Sequence, residues 1–113
     1  MITVVELPEY IRRSEKLLDA EERDKVLEYI ARNPRTGALV TGTGGIRKIR
    51  WARKGMGKRG GVRIIYFFYN ENIPVFLLTV FGKNEKTNLT KAECNELAKL
   101  TTLLVKSYKR GDK

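Results

Sequence analysis

Lys48 and Arg50 stand two residues apart in "IRKIRW", Arg63 stands at the head of the apolar run "VRIIYFFYN", and Lys83 follows a second such run, "VFLLTVFG". Alternate residues of a strand share a face, so Lys48 and Arg50 project together. If the three runs are strands joined by turns, Arg63 and Lys83 reach the same end of the sheet. Converging cations without acidic partners suit a phosphate backbone. The same groups can stabilise the dianionic phosphorane of a phosphoryl transfer. The chain has no His, which excludes a paired-histidine ribonuclease mechanism. It also has no Asp or Glu between Glu28 and Glu71, so the carboxylates of a two-metal nuclease are missing there, and no metal site or cofactor is expected. RNA cleavage at such a site uses the RNA's own 2′-OH as nucleophile and leaves a 2′,3′-cyclic phosphate and a 5′-hydroxyl. Arg63 and Lys83 are the candidates for transition-state charge, with Lys48 or Arg50 near the 2′-OH or the leaving oxygen. A lysine acts as base only if neighbouring cations depress its pKa, and the block from 47 to 63 supplies a cause.

Charge patterning extends this. The 113 residues carry a net charge of +10, and the acid-free interval holds Arg32, Arg35, Arg47, Lys48, Arg50, Arg53, Lys54, Lys58, Arg59 and Arg63. A one-signed block repels itself on folding, which points to a polyanionic partner: RNA, DNA or an acidic protein. Within it, "GMGKRGGV" at 55–62 spells G-x-G-x-x-G-x-V. A dinucleotide site needs a helix after the last glycine, and a strand follows here; a kinase needs His-Arg-Asp and Asp-Phe-Gly elements that the chain lacks. The stretch reads as a glycine-rich basic hairpin, with Lys54, Lys58 and Arg59 joining Arg47 and Arg53 as RNA- or ribosome-binding candidates. Asn84 follows Lys83 in "FGKNE", and Phe81 before them is evenly divided between packing and stacking on a base.

The elements that must position these groups read as an α+β domain. A short strand at 2–5 precedes a helix after Pro8, with Tyr10, Ile11, Ser14, Leu17 and Leu18 at helical spacing. Asp19 and Glu22 form a capping box for a second helix carrying Val26, Leu27 and Ile30. Three antiparallel strands follow, the last two buried on both faces. Thr90 and Glu93 form a second capping box, opening a long helix striped by Cys94, Leu97, Thr101, Leu104 and Tyr108. Trp51 and the aromatic run from Tyr66 to Tyr69 read as core. The chain is one domain over 1–108 with a basic, disordered tail at 109–113. The N-terminus lacks a secretory signal, no run reaches membrane-helix length, and Cys94 is the only cysteine, all of which favour the cytoplasm. The sequon at Asn88 is then accidental.

"GTGGIRKIR", "GKRGGVRIIYFFY", "LLTVFGKNE" and the capped final helix, in that order, resemble the RelE superfamily of toxins from toxin-antitoxin pairs, in particular its HigB branch. The likeness covers residues 1–108. It implies a RelE-like fold with an N-terminal strand and helical hairpin, a twisted, mainly antiparallel sheet and a C-terminal helix. It implies a ribosome-dependent endoribonuclease that cuts messenger RNA, silenced by a helix-turn-helix, HigA-like antitoxin that alone contacts operator DNA. By motif, Lys48 and Arg50 match the two cations of the strand before the hairpin, Arg63 the arginine that contacts the scissile phosphate, and Lys83 and Asn84 a basic pair after the last strand. Asn84 stands where some relatives carry a catalytic arginine, and Thr90 near where some carry a tyrosine. A non-catalytic nucleic-acid-binding module using the same patch is the competing reading, and a protein-interaction domain with a basic face is a third.

Overall fold

A computed structural model describes residues 1–53 and 60–111, with side chains through Lys109. The elements run β1 (Val4–Glu6), α1 (Pro8–Leu17), α2 (Ala20–Arg32), β2 (Ala38–Leu39), β3 (Ile46–Trp51), β4 (Val62–Phe67), β5 (Val75–Gly82) and α3 (Lys91–Gly111). They form one sheet in the order β1-β5-β4-β3-β2. β2 to β5 pair antiparallel, and β1 joins the edge parallel to β5.

Both central strands are buried on both sides, as their unbroken apolar runs require. On one face Val62, Ile64, Tyr66, Leu77 and Val80 pack beneath Tyr10 and Leu18 near α1 and Val26 and Ile30 of α2. On the other, Ile46, Ile65, Phe67, Phe76, Leu78 and Phe81 form a second core against Leu97, Leu100, Leu104 and Val105 of α3. The sheet is thus the middle layer of three.

Local chemistry sets the helix starts. Asp19 caps α2 by accepting from Glu22 N at 2.8 Å. The reciprocal half of that expected capping box does not form, because the buried Glu22 carboxylate accepts from Trp51 Nε1 at 2.7 Å instead. Trp51, half-buried and packed against the first core, also meets Tyr29 edge-on at 5.7 Å. The second box closes in both directions, Thr90 N donating to Glu93 Oε1 at 2.8 Å and Glu93 N to Thr90 Oγ1 at 3.1 Å. Two further differences from the sequence reading stand out. β2, only two residues long, extends the sheet past β3, and α3 continues to Gly111, taking in the first residues of the expected tail.

Tyr66 explains how β2 is held. Its hydroxyl accepts from Gly37 N at 2.8 Å and donates to Pro34 O at 2.9 Å, so a fully buried polar group closes the loop that leads into β2. A Cβ on Gly37 would lie 2.7 Å from that oxygen, so only glycine fits. Among the described residues no helix is long and apolar enough to cross a membrane.

Candidate functional site

Antiparallel pairing brings the end of β3, the start of β4 and the end of β5 to one end of the sheet. Arg50 and Arg63 are direct cross-strand partners, and Lys48 pairs with Ile65 one step along the same face. That face also carries Ile46, Ile65 and Phe67, so the cations continue the surface that α3 covers farther along. Lys83 N donates to Gly61 O at 2.9 Å, extending the ladder beyond β5. The result is a cavity of about 420 Å³ whose wall includes Lys48, Arg50, Arg63, Lys83, Thr87 and Asn88. The four cations proposed from spacing therefore line one cavity.

Among the described residues no carboxylate lines it. Among the described residues, none of the four cations forms an ion pair. Like charges directly opposite on a sheet destabilise it by a few tenths to about 1 kcal/mol. The Arg50 and Arg63 pairing is thus a cost to the fold that a bound anion would offset. Lys48 Nζ donates to Asn88 Oδ1 at 2.9 Å, which fixes the ammonium without neutralising it.

Glu85, on the turn after β5, and Glu93, in the first turn of α3, are engaged elsewhere. Glu85 is held below the ordinary carboxylate range by a hydrogen bond from the Gly82 amide and then by Arg13, and Glu93 is lowered by Lys86 and then by the Thr90 amide. A larger cavity, about 800 Å³, opens at the opposite end of the sheet between the N-terminus and Ile73. Its Arg35 is paired with Glu71 at 3.3 Å, so it does not gather free charge in the same way.

Other expected site residues fall differently. Arg47 lies on the opposite face of β3, and its Nη1 donates to Arg35 O and Gly37 O, both at 2.8 Å. It ties the β2 loop to the sheet and is not part of the cavity. Phe81 is 1% exposed within the second core, so stacking on a base is closed to it; the packing alternative is the one realised. Asn84 is exposed, but its side chain folds over Gly82 and is not in the cavity wall. Arg53 Nε donates to Gly60 O across the foot of the hairpin. Lys54, Lys58 and Arg59 lie outside the described residues. Among the described residues no group of His, Cys, Asp or Glu could hold a metal ion.

Thr87 and Asn88 are the polar members that sequence reasoning missed. Asn88 was legible only as a glycosylation sequon, and a polar residue in a loop carries no period that would aim it at Lys48, 40 positions away.

Comparison with known proteins agrees with this architecture. A free-state structure of a double mutant of the E. coli toxin RelE superposes with a TM-score of 0.59 at 19% identity, covering 84% of this chain and 95% of that one. At that identity the likeness concerns the fold. A family model described as "RelE toxin of RelE / RelB toxin-antitoxin system" matches residues 10–111, which takes in α1 from its third residue, every later element through α3 and all four cavity cations. On the strength of that match, this chain belongs to the RelE toxin family.

Proposed function

We propose that this chain is the toxin of a toxin-antitoxin pair and that it cleaves messenger RNA on the ribosome. The observation that carries the reading is the cavity in which Lys48, Arg50, Arg63 and Lys83 meet with no carboxylate among its described lining residues. Four cations without acid partners match a phosphate whose charge rises from one to two in the transition state.

In the proposed reaction the 2′-oxygen attacks the adjacent phosphorus, its proton passes to a base, and the bond to the 5′-oxygen breaks as that oxygen takes up a proton. Arg63 and Lys83 stabilise the phosphorane oxygens. Lys48 or Arg50 stands near the 2′-OH or the leaving oxygen, and the bond from Lys48 to Asn88 keeps that ammonium in place. The ribosome supplies alignment of the strand, an effect worth about 7 to 11 kcal/mol, so weak acid-base groups suffice. The partner is a cognate antitoxin, by the HigB resemblance a helix-turn-helix protein of the HigA type that alone meets operator DNA, and the site of action is the cytoplasm.

The test is a translation reaction with a defined message, purified protein and mapping of RNA 5′ ends, alongside Arg63→Ala and a ribosome-free control. Cuts that need translating ribosomes and disappear in the variant are expected. An intact message, with the protein still bound to RNA or ribosomes, replaces the enzyme with a non-catalytic binding module.

A further inference from the structure

We infer that Arg13 and Glu85, neither of which lines the cavity, are positioning residues that hold Lys83 within it; the inference rests on the cleavage reading above. Lys83 is exposed and lies beyond the end of β5, on a turn closed by Glu85 N donating to Gly82 O at 3.0 Å. A lysine in such a place has many rotamers to lose. Its location therefore depends on how firmly its backbone is held.

Glu85 holds that backbone from two sides. Oε1 accepts from Gly82 N at 2.9 Å, and Oε2 accepts from Arg13 Nη2 at 2.6 Å, so both contacts exist together. Arg13 in turn donates Nε to Val80 O at 2.6 Å. That carbonyl lies past the reach of β1, which pairs only with residues 75 to 77 of β5. One guanidinium from α1 thus ties the unpaired edge of β5 to the turn that carries Lys83. The turn is tight: a Cβ on Gly82 would come within 2.6 Å of Asn84 Oδ1 and 3.3 Å of Glu85 Oε1.

A plain edge-protecting ion pair is the bland account of the same contacts. The pair is partly exposed, at 32% and 42%, so its direct contribution to folding is small and its removal leaves a folded protein. The two accounts separate by whether Arg13 acts through Lys83.

The experiment measures single-turnover cleavage on programmed ribosomes over a range of toxin concentrations, for wild type, Arg13→Ala, Glu85→Gln, Lys83→Ala and the Arg13→Ala/Lys83→Ala double variant. Amide hydrogen exchange of residues 82–88 is followed in the free proteins. Arg13→Ala and Glu85→Gln should each slow cleavage at saturation about tenfold, because small misplacements of a reacting group are costly. The half-saturating concentration should stay within about twofold, and adding Arg13→Ala to Lys83→Ala should cost less than about a further twofold, since coupled residues are non-additive. Exchange at Gly82 and Lys83 should accelerate in Arg13→Ala. Independent, multiplying effects of the two substitutions, or a full cleavage rate in folded Arg13→Ala, overturn the positioning role while leaving the enzyme standing. A wild-type protein that never cuts overturns both.

Discussion

Arg63→Gln removes one of the two guanidiniums that face each other between β3 and β4. Cross-strand partners have Cβ atoms about 5 Å apart. Two unit charges at that distance repel by about 3 kcal/mol at an effective dielectric of about 20 and by about 0.8 kcal/mol in water. Arg50 is exposed and Arg63 half-buried, so the heads can splay into solvent and the cost falls toward the lower figure. We expect the variant to be more stable than wild type by about 0.5–1 kcal/mol, matching measured cross-strand terms. For a domain of this size that corresponds to a rise in Tm of about 2–5 °C. In about 1 M salt, where the screening length is about 3 Å, the gain should vanish. Cleavage on programmed ribosomes should meanwhile fall about 10²- to 10³-fold, the loss seen when one transition-state donor is removed. Thermal unfolding at low and high salt, with the cleavage assay on the same preparations, measures both. A variant less stable than wild type at low salt, or a gain indifferent to salt, refutes the claim that unpaired repulsion is built into this site. Cleavage within about threefold of wild type refutes the transition-state role.

Further outcomes can be checked in denaturant and binding experiments. Tyr66→Phe leaves the buried Gly37 N and the partly buried Pro34 O without their partner and should cost about 1–3 kcal/mol in urea unfolding; a loss under about 0.5 kcal/mol would mean that the hydroxyl does not anchor the β2 loop. Trp51→Phe strands the buried Glu22 carboxylate and should cost about 1.5–3 kcal/mol, while Glu22→Gln, which can still accept from the indole, should cost less. Phe81→Leu should lower stability by less than the roughly 3–5 kcal/mol of a truncation to alanine and leave ribosome binding unchanged, whereas a stacking residue would lose binding first. Glu93 has its carboxyl lowered by Lys86 and the Thr90 amide, so its contribution is present above the unfolded value of about 4.3 and is lost as pH falls through the lower folded value. Glu93→Gln should therefore be less stable than wild type at neutral pH, with the gap narrowing below about pH 4; a gap that widens on acidification contradicts the assigned sign.

The sequence by itself determined what depends on near neighbours. Two-residue spacing placed Lys48 and Arg50 on one face, continuous apolar runs identified β4 and β5 as doubly covered, and the box between Thr90 and Glu93 marked where α3 begins. Alternation also set Arg47 on the face opposite Lys48 and Arg50, and Arg47 is absent from the cavity wall, although the local density of charge argued for a partner-binding role. These signals are legible because strand alternation, helix capping and turn chemistry act over a few residues.

The tertiary structure decided the rest. Glu22 abandons its cap because Trp51, 29 positions away, offers a half-buried indole N–H to the buried carboxylate. β2 exists because β3 offers a free edge and Tyr66 draws in the preceding loop, neither of which leaves a period in a two-residue strand. Phe81 could be resolved only once α3 had been laid over its face of the sheet. Asn88 and Glu85 take their roles from Lys48 and Arg13, 40 and 72 positions distant, in a loop whose residues obey no repeat. Charge and alternation are properties of the chain, whereas which cation keeps a partner and which is left free is settled only when distant segments meet.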